Sequence, residues 1–392
     1  MSLSATADRK GLIFCASSWG QLGNLNSARR LASHLNERME GWSFAVEPVE
    51  QHLPFVAEIG QQMRHLAKAT QDPRERRERY KACIAQIAQD FPPGFERGGT
   101  ARRGEAELGA FAGYIATAAP DLVIGTKGIV TRLADAASRQ IGSAVPLVNY
   151  VTNDGLLGLP IHRTDRAVLN LVQTDFGLRS LGEGARGVRV GPLVGQVATK
   201  APPDPDPSPL VAILCNRNPE YASLFAMLRE AHPPVRVNAV IMGCDDLLEQ
   251  VGRTAPASWE VHGEQAAKTY LDLIARVAAS SCRLLVTKSA PSSVFEPVAV
   301  GVPVLAVKSG LPMEDWILDF IREYRLGWTA DTIEEANSIL GDLLQRPQAI
   351  LEMAETALSF SQIHLNNAKT VQSIRQALTD ELEWLSSNGE PR

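Results

Sequence analysis

Short apolar runs bounded by polar or turn residues recur along the chain, and stretches of helical period fall between them. In the first half "GLIFCAS" reads as a buried strand, and Leu25, Ala28, Ala32, Leu35 and Met39 follow at spacings of three and four, which predicts a helix. Further strands are predicted at "DLVIGT", "VPLVNYVT", "AVLNLVQT" and "GVRVGPLV". In the second half the strands are "PLVAILC", "VNAVIMG", "SWEVHG", "RLLVTK" and "VPVLAV", and Tyr270, Leu273, Ile274 and Val277 mark a helix face between two of them. Apolar strands alternating with helices predict parallel sheets covered on both faces. Between the halves, "TKAPPDPDPSP" (Thr199–Pro209) places five prolines within eight positions. Such a run continues neither a helix nor a central strand, and reads as a spacer. The expectation is an α/β protein of two doubly wound domains, 1–200 and 210–392, joined by a linker at 201–209.

Composition narrows the class. A chain of 392 residues is long enough for two cores of ordinary size. No apolar run approaches the roughly 18 to 20 residues that span a bilayer, and the N-terminal segment lacks a signal-peptide layout, so a cytoplasmic location is expected. Cys15, Cys83, Cys215, Cys244 and Cys282 are odd in number and show no C-x-x-C spacing, which argues for free thiols and against a disulfide framework or a zinc site. A net charge of −5 gives no reason to expect a nucleic-acid partner. One segment departs from this balance: between Arg64 and Arg103 ten Lys or Arg face five Asp or Glu, +5 against −10 for the rest. Met63, Leu66 and Ala67, then Tyr80, Ile84, Ile87 and Phe91, give it an apolar side beside a basic one. That pattern suits an anionic membrane surface or a negatively charged soluble acceptor, and equally a solvated helix laced with i,i+4 pairs.

Candidate chemistry concentrates in "LLVTKSAPSSVFEPVAVGVPVLAV", Leu284 to Val307. Two strands are joined by a small-residue loop and a helix start. In doubly wound domains ligands bind outside the carboxyl ends of the strands, where loops and helix N-termini offer N–H groups to anions. A small loop after Lys288 lets a diphosphate approach the backbone, and Glu296, about one turn into the helix, is placed to accept hydrogen bonds from both hydroxyls of a ribose. The same residues also suit plain capping, with Ser292 or Ser293 as the cap and Glu296 completing a capping box.

The run from Thr287 to Trp328 resembles the donor-binding region of family 28 glycosyltransferases, above all the monogalactosyldiacylglycerol synthase type and more distantly the MurG type. Lys288, Pro291, Glu296, Gly301, Pro303 and Glu314 fall on that family's K-x-G-P-x-T-x-x-E-A, G-x-P and Q-E pattern, with Ser293 for its threonine and Met313 for its glutamine. Upstream, "NAVIMGCDDLL", which contains Gly243, and "WEVHG" keep the family's order, as do "SSWGQLGNLNSARRLA", "PDLVIGT", "LVNYVTND" and "VRVGPLVG" in the first half.

The resemblance implies a GT-B fold, two Rossmann-like domains facing a cleft, with the acceptor in the N-terminal domain, the nucleotide sugar in the C-terminal one and the last helices crossing back. It implies inverting transfer from a UDP-sugar with no metal and no cofactor, Lys288, Ser292, Ser293, Glu296, Met313, Glu314 and Gly243 forming the donor site. Implied partners are the nucleotide sugar and a lipid or small-molecule acceptor, with peripheral contact to the inner membrane through 64–103 and a homodimer as further options. Two departures stand out. Aligning Gly23 with the glycine-rich loop puts Asn24 where the family carries a basic histidine, and an amide takes no proton at neutral pH. Either another group deprotonates the acceptor, with Asp154 and His162 as the candidates, or the acceptor is an amine or acidic hydroxyl that needs little help; Gly23 and His162 are the expected acceptor contacts. The second departure is "CNRNPEYA", Cys215 to Ala222, in place of a glycine-rich phosphate loop. A UDP-sugar 2-epimerase-like isomerase and a catalytically degenerate nucleotide-sugar sensor or partner protein are the alternatives.

Overall fold

Twelve strands form two six-stranded parallel sheets in the computed structural model, which describes residues 9–18, 23–68, 73–92, 95, 104–143, 145–164, 168–195, 197, 208–216, 218–232, 234–263 and 267–388. Most of the proline-rich run, Arg217 and parts of the basic segment lie outside those residues. By its contacts the chain divides into one unit holding the described parts of 1–70, 75–193 and 367–392 and another holding those of 71–74 and 194–366.

In the first unit β1 (Arg9–Cys15), β2 (Trp42–Pro48), β3 (Leu122–Gly125), β4 (Leu147–Tyr150), β5 (Leu169–Val172) and β6 (Arg186–Arg189) lie in the order β2-β1-β3-β4-β5-β6. One face packs on the helix Gly23–Arg38, whose Ala28, Leu31, Ala32 and Leu35 meet Ile13, Leu122, Ile124 and Val148. The last helix, Asn367–Asn388, joins the same core through Val371, Ile374, Ala377 and Leu378. Arg186 fixes it further: its guanidinium pairs with both oxygens of the buried Glu381 and lies 4.9 Å over the Trp384 ring.

In the second unit β7 (Leu210–Asn216), β8 (Arg236–Met242), β9 (Trp259–His262), β10 (Arg283–Lys288), β11 (Val304–Val307) and β12 (Gly327–Ala330) run in the order β12-β11-β10-β7-β8-β9. The hydrophobic pattern missed β2 and β12. Both are edge strands with only one paired neighbour, so their residues are largely half-buried or exposed and no continuous apolar run marks them.

In the basic segment the helix Pro73–Asp90 has an apolar side, and its Tyr80, Ile84 and Ile87, with Phe91 beyond it, are buried within the fold. Its charged side is exposed and carries Glu75–Arg79 and Glu78–Lys81 pairs, the second at 2.8 Å. Among the described residues no helix is long and apolar enough to cross a membrane.

Candidate functional site

Each sheet contains a point where the strand order reverses, and that is where such sheets hold ligands. In the second unit the chain runs outward from β7 to β8 and β9, then returns to β10 on the other side of β7. The reversal therefore lies between the ends of β7 and β10. Lys288 is the last residue of β10, and the helix Pro291–Val298 begins three residues later with proline in its first turn, where the missing N–H costs nothing. Ser293 and Glu296 are buried on this helix, Glu296 at 5% exposure, while Ser292 is exposed.

The loop after β11 closes onto the loop after β10. Lys288 Nζ donates to both carboxylate oxygens of Glu314, at 2.9 and 3.1 Å. One residue on, Asp315 Oδ1 accepts from Ser289 Oγ at 2.8 Å, Ser309 N–H at 3.1 Å and Ser309 Oγ at 3.2 Å. Ser289 Oγ in turn accepts from Ser309 N–H at 2.9 Å. Burial raises the Asp315 carboxyl above its ordinary range, and the hydrogen bonds from Ser289 and Ser309 oppose that shift. Both acids occupy the first turn of the helix Pro312–Tyr324, the end that favours negative charge, with Met313 half-buried beside them. Gly243 follows β8 at φ 63°, a left-handed turn that suits glycine, and is exposed. The structure thus joins Lys288 to Glu314 directly and places Glu296 on the adjoining helix.

In the first unit the chain passes from β1 to β2, then to β3 on the opposite side of β1, so the reversal lies between β1 and β3. Asn24 is in the first turn of the helix that follows β1 and is 9% exposed. Its Nδ2 donates to the Ala16 carbonyl at 3.3 Å and its Oδ1 accepts from Thr152 Oγ1 at 3.2 Å. Thr152 Oγ1 also lies 3.1 Å from the Thr126 carbonyl, at the end of β3. Gly23 opens the same helix.

The two substitutes for a histidine base have other surroundings. Asp154 is fully buried; its Oδ1 accepts from Gln173 N–H at 3.0 Å and its Oδ2 from Thr174 N–H at 2.8 Å and Thr174 Oγ1 at 2.5 Å. A Cβ on Gly177 would lie 2.5 Å from that carboxyl carbon, so glycine is needed there for the carboxylate to reach the turn. Burial pushes the Asp154 carboxyl up to about 6, opposed by the hydrogen bonds from Thr174 and Gln173. These contacts tie the end of β4 to the turn after β5. His162 is also buried, its Nδ1 accepting from Ile129 N–H at 3.4 Å, and burial lowers its pKa well below the usual imidazole value. Its backbone crowds Gly128, where a Cβ would meet the His162 carbonyl oxygen at 1.8 Å.

A stability prediction follows for Asp154. Its folded pKa lies above the unfolded one, so its contribution is full below the unfolded value and is lost as pH rises through about 6. Asp154→Asn turns an amide N–H₂ toward backbone donors, which should cost about 1–3 kcal/mol in a denaturant melt at pH 7 and remove this group's pH slope. An unaltered melt coupled to a large loss of turnover would give Asp154 a catalytic task instead.

Sequence reasoning did not single out Lys127, Glu50 or Asp315. The only signal for Lys127 is local: "IGTKG" at the end of β3 matches "LVTKS" at the end of β10 in its Thr-Lys pair. Among the described residues no group of three or more His, Cys, Asp or Glu is arranged to hold a metal ion.

No family model and no curated protein matches the chain. Solved structures do. A UDP-glucosyltransferase from Polygonum tinctorium capable of glucosylating indoxyl superimposes with a TM-score of 0.61 and 11% identity, over 97% of this chain and 100% of that one. Acinetobacter baumannii MurG gives 0.60 and 14%, over 94% and 99%. The chain has a GT-B fold. The GT-B architecture is not restricted to transferases: a putative UDP-N-acetylglucosamine 2-epimerase from Listeria monocytogenes matches at 0.59 and 14%, over 96% and 97%. At these identities the likeness concerns the fold.

Proposed function

We propose that the chain is a glycosyltransferase that moves a sugar, with inversion and without a metal ion, from a UDP-sugar or related nucleotide sugar to a lipid or small-molecule acceptor. The reading is carried by one observation: Lys288 and the helix bearing buried Glu296 lie beside the strand-order reversal of the second unit. There Lys288 and the N–H groups at the start of that helix would stabilise the diphosphate leaving group, the role a divalent cation plays in other folds. An ammonium carries three N–H donors, and Glu314 occupies two of them, so one remains for a phosphate oxygen. Ser292 and Ser293 add hydroxyls at the helix start, Glu296 receives the ribose, and Met313 and Glu314 face the sugar. Gly243 lets the chain turn closely after β8. The family 28 pattern from Lys288 to Glu314 supports this assignment of roles.

The test is a melting series with UDP, dTDP, GDP and their sugars, followed by product analysis with hydroxyl and lipid acceptors. A selective upward shift with one nucleotide and a glycoside of inverted anomeric configuration are expected. Glu314→Ala should weaken the nucleotide sugar more than the free nucleotide, because it removes the proposed sugar contact while releasing Lys288, its partner, toward the diphosphate. Equal weakening of both would assign Glu314 to the nucleotide or to the loop. Conversion of the nucleotide sugar to an isomer in the absence of any acceptor would replace transfer by epimerisation.

A further inference from the structure

We propose that Cys215 and Cys244 form a peroxide-sensitive dithiol that closes to a disulfide across the ends of β7 and β8. The inference is independent of the transferase reading. It starts from the register of the two strands, which pair in parallel as far as Cys215 beside Ile241 and Asn216 beside Met242. Gly243 then turns the chain at φ 63°, and Cys244 stands as the N-cap of the helix Asp245–Thr254. This turn brings Cys244 back to the end of β7. Its side chain packs against the hydrophobic cluster that includes Cys215, and a side-chain hydrogen bond links the two thiols.

A second contact fixes the direction of that bond. Cys215 Sγ donates to the Asn218 carbonyl at 3.3 Å. A thiol carries one hydrogen, so Cys244 is the donor between the two sulfurs. The sulfurs therefore meet before any covalent bond is formed. Closing to the S–S length of about 2.0 Å asks for a shift of the turn after β8, and glycine at 243 gives that turn the backbone freedom to make it. The bond would tie down the end of β7, which borders the strand-order reversal of the second unit.

The other cysteines lie elsewhere. Cys282 precedes β10, and its carbonyl accepts from Leu210 N–H at the start of β7, the opposite end of that strand from Cys215. Cys15 and Cys83 belong to the first unit, on β1 and on the helix Pro73–Asp90. Within the pair the two thiols have different tasks. Cys215 is fully buried, and burial pushes its thiol up to about 12, so it waits as a neutral partner. Cys244 is half-buried and is the one an oxidant reaches.

In the first step hydrogen peroxide delivers one oxygen to the Cys244 sulfur, giving a sulfenic acid, and its other oxygen leaves as water. In the second the Cys215 sulfur bonds to the Cys244 sulfur, and the sulfenic hydroxyl departs as a second water with the Cys215 proton. Two thiols have lost two hydrogens and two electrons, and one peroxide has become two waters. A thiol reductant reverses the result.

The test is a non-reducing peptide map of the full folded chain, reduced first, exposed to hydrogen peroxide in the presence or absence of dimedone, and then blocked at its remaining thiols. The expected product is a pair of peptides joined through Cys215 and Cys244, two hydrogens lighter than its parts and separated by dithiothreitol. Cys215→Ala should abolish the link and leave Cys244 as a sulfenic acid that dimedone captures, whereas in the intact protein that capture should be largely lost. Cys83, the other half-buried cysteine, should be captured alike in both proteins. Equal capture of Cys244 in the two proteins with no joined peptide would overturn the proposal. So would a Cys244 left unmodified at a peroxide level that oxidises Cys83, a link from either residue to another cysteine, or a link that forms only after unfolding in guanidinium.

Discussion

Lys288→Ala is expected to lower transfer by about 10²- to 10³-fold, the usual cost of deleting one preorganised donor to a developing oxyanion. The loss should appear mainly in kcat, because negative charge on the diphosphate grows as the glycosidic bond breaks and the ammonium is worth most at that moment. A second effect accompanies it. Glu314 has a side chain 16% exposed and both its oxygens on Lys288, so the variant leaves a half-buried carboxylate without its cation. Lys288→Arg restores the charge but not the compact head group, and should recover only part of the rate. The check is steady-state kinetics with the donor found in the melting series. A change below threefold in kcat for Lys288→Ala would mean that the lysine serves the loop and not the leaving group.

The parts of this architecture that were legible in the sequence are those written in apolar runs. Central strands such as "DLVIGT" and "RLLVTK" are buried on both faces, so they stand out as continuous hydrophobic segments. Edge strands β2 and β12 face their partners on one side only and carry no such run. Lys288 and Glu296 were singled out by a loop and a helix start that read locally, whereas Glu314, on a second helix beyond β11, was singled out only through the family 28 pattern. Burial is not local, and it is what the sequence conceals at Asp154 and His162. Asp154 comes soon after a strand end and His162 lies in the connection between β4 and β5; each reads as an accessible polar residue, yet each is enclosed by segments from elsewhere in the chain: residues 173 to 177 around Asp154, and the start of the helix Gly128–Gln140 around His162. Lys127 is hidden for the same reason: in "GTKG" a lysine between threonine and glycine reads as a solvated turn, yet it is buried where the strand order reverses beside β1. The pairing of Asp315 with Ser289 and Ser309 likewise needs two loops to meet before it can be seen.

The central claim is that the crevice beside β10 receives a nucleotide through Glu296, and calorimetric titration of UDP into the intact protein and into Glu296→Gln measures it most directly. The substitution keeps the size of the side chain and replaces one carboxylate oxygen by an N–H₂ group, so it removes an acceptor where two ribose hydroxyls must donate. A ligand present at 100 times its Kd stabilises the folded protein by about 2.7 kcal/mol, so the matching melts should separate the two proteins clearly. The account predicts binding of UDP to the intact protein and a loss of at least about tenfold in affinity for Glu296→Gln, in keeping with a charged hydrogen bond of about 1.5–3 kcal/mol. Equal affinity in both proteins, or no heat with UDP, dTDP or GDP at any concentration, would contradict it.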